Sequence, residues 1–241
     1  MPICLMDWKS SKFIGAEMML QLGAYYGATH YREKNADGLF AGWLPKTADI
    51  QPEQAAIIKI GPNYVGLAER EVWKDSKPSY TEKALLTKPM LDTAFAQFQN
   101  CLEVFWWLTS KDFVSVPEKE AYKFEDKQLV SVTYVIQHVI AKPALLNWYA
   151  KMAKEGKDPN AERDKRGAEG TLWHKNILWY LQGRSVDIDN GPPTLAQTIA
   201  KFAKWEQSVK LKPILLETSV AHPELGYGGT LDAIADCNLE G

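Results

Sequence analysis

Acidic side chains lie near both ends of this 241-residue chain, and a lysine accompanies the one at the N-terminus. Asp7 and Lys9 lie two residues apart in an apolar stretch at the N-terminus, and Asp232 lies in a second apolar stretch near the C-terminus. Side chains alternate between the two faces of a strand, so Asp7 and Lys9 share a face while Trp8 points to the other. Converging carboxylates repel each other unless a cation lies between them, and oxygen ligands favour Mg²⁺ or Mn²⁺. With a lysine donor beside them, they could support metal-assisted attack of water on a phosphodiester.

This chemistry requires the two ends of the chain to meet. Residues 3–9 and 231–237 each predict a β-strand. If the last residue is imagined joined to the first, the polar residues 238–241 become the turn of a hairpin between these strands. Asp232 then faces Asp7. The alternative interpretation is a surface salt bridge on a hairpin, which is the more frequent origin of a lone Asp-x-Lys.

Further short motifs accompany these strands. They are Gln21-Leu22-Gly23-Ala24-Tyr25, Gly170-Thr171-Leu172-Trp173-His174, Glu217-Thr218-Ser219-Val220 and Gly229-Thr230-Leu231-Asp232. Together with the Asp-x-Lys strand, this set resembles the PD-(D/E)XK nuclease superfamily, in particular its RecB-like exonuclease branch, which includes phage and mitochondrial-type members. Every motif of the family is present, but their order along the chain is rotated.

The rotated order predicts a circular permutation. Residues 1–115 correspond to the C-terminal part of the family and residues 116–241 to its N-terminal part, with the polar stretch 117–127 as the joint. The resemblance implies a single nuclease domain over residues 1–241. Its expected fold is α/β and restriction-endonuclease-like, with a mixed central β-sheet flanked by helices. The length of the chain and its 46% apolar content are sufficient for one such core.

The resemblance also implies a role for each motif residue. The implied metal ligands are Asp7, Asp232, the Trp8 carbonyl and His174. Lys9 would position or activate the attacking water, and Glu217 would contact a metal or hold Lys9, with the supporting role as the preferred one. Gln21 and Tyr25 would lie above the metal, where an amide and a phenol can hydrogen-bond a phosphate or a water.

Several of these residues have a structural interpretation as well. His174 lies on a predicted helix, 170–181, and could be a partly buried structural histidine, although imidazole is also a plausible ligand for Mn²⁺. Gln21 and Tyr25 could be ordinary polar positions on an amphipathic helix. The neighbouring Tyr26 is an alternative to Tyr25.

The function that the resemblance implies is that of a divalent-metal-dependent DNA exonuclease. It would use one or two Mg²⁺ or Mn²⁺ ions and act on single-stranded DNA ends. A structure-selective endonuclease or nickase is the alternative within the enzymes, because the same centre serves both modes. A catalytically silent DNA-binding module of the same fold is the alternative outside them.

Composition limits the partners and the surroundings of the protein. A net charge of −2 and a pI near 6.1 provide no global basic field, so nucleic-acid contact must come from a local patch or groove. Three cysteines without a C-x-x-C pair predict neither a zinc site nor the four-cysteine iron–sulfur cluster of some RecB-like relatives.

Without an apolar run of about 18 residues, we expect no membrane contact and a cytoplasmic protein of a bacterium or a virus-infected host cell. We expect a monomer, with a dimer that exchanges its terminal strands as the alternative.

Periodicity predicts the elements that hold these residues. The predicted helices are 15–31, 92–109 with Asp92 as N-cap, and 170–181. The strands predicted between the first two helices are 55–60 and 64–72, and residues 78–89 are expected to be a linker. The charged segment 155–169 is interpreted as a solvated loop, or otherwise as the edge of a groove that guides a nucleic-acid strand.

Overall fold

The computed structural model describes residues 1–10, 14–33, 41–74, 77–118, 121–141, 143–186, 188 and 191–239. In these ranges the strands are β1 (Ile3–Lys9), β2 (His30–Arg32), β3 (Leu44–Pro45), β4 (Gln54–Lys59), β5 (Gly66–Leu67), β6 (Glu69–Lys74), β7 (Lys77–Lys83), β8 (Leu85–Thr87), β9 (Ala121–Phe124), β10 (Lys127–Ser131), β11 (Lys212–His222) and β12 (Tyr227–Asp236). The α-helices are α1 (Ala16–Gly27), α2 (Lys88–Ser110), α3 (Val132–Val139), α4 (Pro143–Lys154), α5 (Pro159–Leu181) and α6 (Pro193–Val209).

The central sheet is mixed, with β3, β2, β11, β12, β1, β4 and β5 in spatial order. Strand β1 runs antiparallel to β12 on one side and parallel to β4 on the other. Strand β10 runs parallel to β12 and carries β9 beside it, while β8 pairs with β4. Strands β6 and β7 form a separate two-stranded ribbon. The predicted α/β class with a mixed central sheet is therefore confirmed.

Helices cover both faces of this sheet. One apolar cluster packs α1, α2 and α3 against the face that carries Leu5 and Ile57. A second cluster packs α5 and α6 against the opposite face, which carries Met6 and Ile58. Alternate residues of β1 and β4 thus enter different cores, as the two-residue period of a strand requires. Complete burial of each such side chain contributes roughly 1.5–3 kcal/mol, which fixes the register of β1 in the centre of the sheet.

Strand β12 changes its neighbour along its length. Near its start Val130 of β10 lies opposite Tyr227, and nearer its end Met6 of β1 lies opposite Ala233. Within the described ladders, residues 229–232 lie between these two pairings and belong to neither. On the opposite edge of β12, strand β11 pairs with residues 229–231. We call this opening between β10 and β1 the fork. Polar side chains can enter the sheet there without displacing a ladder strand.

The first two predicted helices have different bounds in the structure. Helix α1 ends at Gly27 instead of continuing to residue 31, because the chain turns there into β2, which pairs with β11. Helix α2 begins at Lys88, with Thr87 at the N-cap. The prediction of Asp92 as N-cap was wrong, since Asp92 lies one turn inside the helix. The expected linker 78–89 was also wrong, because most of it forms β7 and β8.

The charged segment 155–169 is largely helical, so its interpretation as a loop was wrong. Helix α5 begins at Pro159, and the carboxylate of Asp158 accepts hydrogen bonds from the amides of Asn160 and Ala161 at the N-cap. Charged pairs one turn apart support the exposed first half, as Arg166 and Glu162 do at 2.7 Å. The expected helix 170–181 is the second half of α5.

Two further expectations concern the joints of the chain. The polar stretch 117–127 contains β9 and the start of β10, and its residues 119–120 lie outside the described residues. Of the expected terminal turn, residues 240–241 also lie outside them.

The predicted strand 64–72 is divided by Ala68 into β5 and β6. No helix in the described part of the chain combines the length and the hydropathy needed to cross a bilayer.

Candidate active site

The two ends of the chain meet at the fork. The ladder between β1 and β12 runs from Ile3 opposite Asp236 to Met6 opposite Ala233, which confirms that these stretches pair. Beyond the last pair, the backbone amide of Trp8 donates a hydrogen bond of 2.6 Å to Oδ2 of Asp232. A side-chain carboxylate thus serves as the acceptor for β1 at the point where the ladder ends.

Asp7 and Lys9 form an ion pair beside this carboxylate. Lys9 Nζ lies 2.9 Å from Asp7 Oδ2, and the two side chains are 24% and 5% exposed. Burial raises the pKa of Asp7 to about 7, and Asp232 adds to this effect by its charge and by hydrogen bonding, while Lys9 opposes it. Burial disfavours the charged form of Lys9, but Asp7, with help from Asp232, outweighs it and keeps the pKa of Lys9 above its ordinary value.

One oxygen of Asp7 keeps unused hydrogen-bonding capacity. Although Oδ2 lies within ion-pair distance of Lys9, it has no partner with hydrogen-bond geometry in the described part of the chain. A carboxylate oxygen has two lone pairs, so Asp7 Oδ2 can accept a further partner in addition to the lysine. Here it lies beside a second carboxylate and a lysine.

Helix α1 places two of the predicted residues, Gln21 and Tyr25, beside Lys9. Lys9 Nζ donates to Gln21 Oε1 at 3.4 Å, and Gln21 Nε2 donates to Tyr25 Oη at 2.7 Å. Gln21 and Tyr25 are four residues apart and therefore share one side of the helix. Tyr26 points elsewhere, because its hydroxyl donates to Asp92 Oδ1 at 2.8 Å. Of the two tyrosines, Tyr25 is the one that the structure brings to the site.

Tyr25 lies directly against the backbone of the Gly-x-x-Asp motif. A Cβ atom built at Gly229 would stand 2.4 Å from Cε1 of Tyr25, so only glycine admits the ring at this position. Burial raises the pKa of Tyr25 well above its ordinary value, and the charge of Asp7 adds to the effect. Tyr25 is therefore a neutral phenol whose oxygen accepts from Gln21 and whose hydrogen remains for donation.

His174 approaches the other oxygen of Asp232. Its Nδ1 lies 3.6 Å from Asp232 Oδ1, and its side chain is half-buried on α5. This separation is too long for a hydrogen bond, so the imidazole approaches the carboxylate without bonding to it. Asp232 thus has one oxygen fixed by the Trp8 amide and the other directed towards an imidazole.

Glu217 lies on β11, the strand that pairs with β12 on the side opposite β1. Leu216 pairs with Ala233 and Thr218 with Leu231, so the register sets Glu217 across from Asp232. Its φ angle of 43° is in the left-handed region, which a non-glycine residue in a strand adopts only at a cost in energy. Backbone strain of this kind is concentrated at functional sites, and here it lies at Glu217 itself, across from Asp232.

Trp8 contributes to the site through its backbone. Its side chain is buried on the opposite face of the sheet, edge-to-face with Phe202 at 5.6 Å and with Trp205 at 6.2 Å between ring centroids. This confirms that the indole packs behind the sheet. The role of the Trp8 carbonyl as a ligand stays a prediction, whereas the role of its amide in holding Asp232 was not predicted.

Tyr122 is a further residue of the site, and the sequence did not predict it. Its hydroxyl lies 3.2 Å from Oγ1 of Thr230, two residues before Asp232, and its ring packs on Gly228. The stretch 117–127 was interpreted as a polar joint, so no strand was expected at Tyr122. The alternation of aromatic, charged and aromatic residues in Tyr122-Lys123-Phe124 is the signal that could have indicated β9.

The donor set suits a hard cation with an incomplete protein shell. Among the residues that the structure describes, no group of three or more His, Cys, Asp or Glu side chains is arranged to hold a metal ion. Mg²⁺, however, is commonly held by one or two carboxylates, with water and substrate phosphates completing its shell. Asp7 and Asp232 are two such carboxylates, and they lie next to each other.

Against protein-family models, curated proteins and solved structures, the chain gives no significant match.

Proposed function

We propose that the protein is a divalent-metal-dependent deoxyribonuclease that hydrolyses phosphodiester bonds in DNA. One observation carries the proposal. Two neighbouring carboxylates, Asp7 and Asp232, meet the partly buried Lys9 at an opening in the sheet, where Lys9 Nζ lies 2.9 Å from Asp7 Oδ2 and is also attracted by the charge of Asp232. A purely structural cluster would gain little from such an arrangement, because buried like charges are costly unless they are paired or bind a cation.

In this proposal each residue of the site has a separate role in hydrolysis. Lys9 is held by Asp7 and Gln21 and can orient the attacking water and donate to the phosphate as negative charge develops. Asp7, Asp232, His174 and the Trp8 carbonyl would hold the cation. The Tyr25 phenol keeps a hydrogen for a phosphate oxygen. When bound, Mg²⁺ or Mn²⁺ would supply Lewis-acid polarisation of the scissile phosphate.

The finer fold assignment belongs to this proposal. We infer a restriction-endonuclease-like core whose sequence is circularly permuted, with residues 1–115 and 116–241 exchanged relative to the family. Pairing between β1 and β12 supports it, since this pairing joins elements that come from the two ends of the chain. The proposed activity is that of an exonuclease on single-stranded ends, which is the preference of the RecB-like branch that the motifs resemble.

Degradation of end-labelled single-stranded, duplex and closed-circular DNA tests the activity. In Mg²⁺ or Mn²⁺ we expect linear single strands to shorten from an end while circles remain intact. Cleavage of circles as fast as linear strands would establish an endonuclease or nickase instead. Binding of DNA without any cleavage under all of these conditions would establish the catalytically silent module.

Substitution of the central lysine tests the assignment of the site. Lys9→Ala should lower turnover by at least about 100-fold while DNA binding persists. Lys88→Ala is a matched control, because Lys88 also forms an ion pair with a carboxylate, Asp92 at 3.1 Å, but is 62% exposed, and its other partner is Tyr26. Equal activity of the two variants would refute the role given to Lys9.

A further inference from the structure

A group of aromatic and cationic side chains extends from the fork along β9. The ring centroids of Trp43 and Phe124 are 5.3 Å apart, and those of His30 and Phe124 are 4.8 Å apart. The guanidinium of Arg32 lies 4.5 Å from the centre of the Trp43 ring. We call Arg32, Trp43 and Phe124 the aromatic platform.

The platform is held in place but is not part of either core. Trp43 Nε1 donates a hydrogen bond of 3.0 Å to the carbonyl of Lys123, which fixes the orientation of the indole. Trp43 and Phe124 belong to neither apolar cluster of the sheet, and each is only half-buried. Rings that are rigid and also partly open to solvent are suited to stack on a flat ligand.

Tyr122 connects the platform to the carboxylates. Tyr122 and Phe124 are two residues apart on β9, so they share a face at a spacing of about 7 Å. Tyr122 in turn contacts Thr230, close to Asp232. A strand whose phosphate lies at the fork could therefore follow β9 outwards, past Tyr122, to the platform.

We propose that the aromatic platform is a nucleobase-binding subsite for single-stranded nucleic acid, on which bases next to the scissile phosphate stack. The subsite rests on the proposed nuclease function. Stacking suits this protein because its net charge of −2 supplies no long-range attraction for a phosphate backbone. Aromatic rings and an arginine bind any base, since every base offers a flat face. The structural alternative is that the cluster only fastens β2 and β3 to β9.

Binding measurements without turnover distinguish these two roles. Fluorescence anisotropy of a labelled oligothymidylate with the whole protein in EDTA should give about 5- to 100-fold weaker binding for Trp43→Ala and for Phe124→Leu. Trp43→Phe should retain most of the affinity because it keeps a ring. Trp107→Ala is the matched control, because Trp107 is 56% exposed on α2 and should leave binding unchanged. Unaltered binding by the Trp43 and Phe124 variants would overturn the subsite.

A second measurement uses the unsubstituted protein and does not depend on the folding of any variant. Ultraviolet cross-linking of an oligonucleotide that contains 5-iodouracil, followed by peptide mass spectrometry, should place adducts on Trp43 or Phe124. Adducts found only elsewhere would overturn the subsite. If adducts form on the platform but no DNA is cleaved with Mg²⁺ or Mn²⁺, the subsite stands and the nuclease assignment fails. If DNA is cleaved and adducts lie elsewhere, the nuclease assignment stands and the subsite fails.

Discussion

The amide nitrogen of Trp8 lies 2.6 Å from Oδ2 of Asp232, although 224 positions separate the two residues in the chain. The main-chain ladder between β1 and β12 ends just before this contact. The Asp232 carboxylate takes the place of the missing main-chain acceptor, and in doing so is held next to Asp7. This one hydrogen bond therefore satisfies the β1 amide at the point where the strand pairing stops, and it also positions a charged residue of the site.

Removal of this acceptor should affect stability and activity differently. Asp232→Ala leaves the Trp8 amide without a partner and should lower the free energy of unfolding by about 1–3 kcal/mol. Asp232→Asn keeps an acceptor oxygen and should cost less, yet both variants should lose hydrolysis because the negative charge is gone. Urea denaturation and the nuclease assay together check this. Equal destabilisation by the two substitutions would mean that the hydrogen bond contributes nothing measurable.

The raised pKa of Asp7 predicts how stability changes with pH in the metal-free protein. The carboxyl titrates near 3.9 in an unfolded chain and at about 7 in the fold. Between these values the folded state binds more protons, so the free energy of unfolding should fall as the pH rises from about 4 to about 7. Urea denaturation in EDTA across this range measures the slope. The slope should be smaller in Asp7→Asn, and an unchanged slope would contradict the assignment.

Metal binding should stabilise the folded protein by mass action. An unfolded chain cannot assemble Asp7 and Asp232, so Mn²⁺ at 100 times its dissociation constant should add about 2.7 kcal/mol to the free energy of unfolding. Thermal denaturation with and without Mn²⁺ gives the shift in melting temperature. The shift should disappear in Asp7→Asn and persist in Asp92→Asn, whose carboxylate is exposed and paired with Lys88. A shift that survives both substitutions would place the metal elsewhere.

Two substitutions at Glu217 separate its backbone from its side chain. Glu217→Ala and Glu217→Gly both remove the carboxylate, but only glycine adopts a φ of 43° without strain. The glycine variant should therefore be more stable than the alanine variant by about 1 kcal/mol in urea denaturation. If the carboxylate supports the site, both variants should lose activity to the same extent. Greater stability of the alanine variant would show that the left-handed conformation is not costly here.

The close contact between Gly229 and Tyr25 predicts a steric effect. Gly229→Ala forces a methyl group into the Tyr25 ring and should lower the free energy of unfolding by about 1–3 kcal/mol, with a loss of activity as the ring moves. Gly167→Ala is the control, because the added methyl meets open space on the exposed part of α5 and should be neutral or stabilising. Thermal denaturation compares the two. The cost at Gly229 should shrink in a Tyr25→Leu background, and a cost that stays the same would assign it to another contact.

The wrong predictions have identifiable physical causes. Residues 155–169 contain Gly and many charges, which favours a loop, but the N-cap at Asp158 and charged pairs one turn apart stabilise an exposed helix without a core face. Residues 78–89 contain prolines and polar residues, yet β7 and β8 form because neighbouring strands are available to pair with them. In both segments the periodicity of hydrophobic residues gave no signal.

The sequence alone determined the local features of the candidate site. The two-residue period of β1 sets Asp7 and Lys9 on one face and Trp8 on the other, and the four-residue spacing on α1 brings Gln21 beside Tyr25. These relationships follow from backbone geometry within one element. The tertiary structure decided how buried Asp7 is, which oxygen of Asp232 faces His174, and that Tyr122 joins the site. Those relationships depend on the register between strands that are distant in the chain, and burial against both helical layers fixes that register.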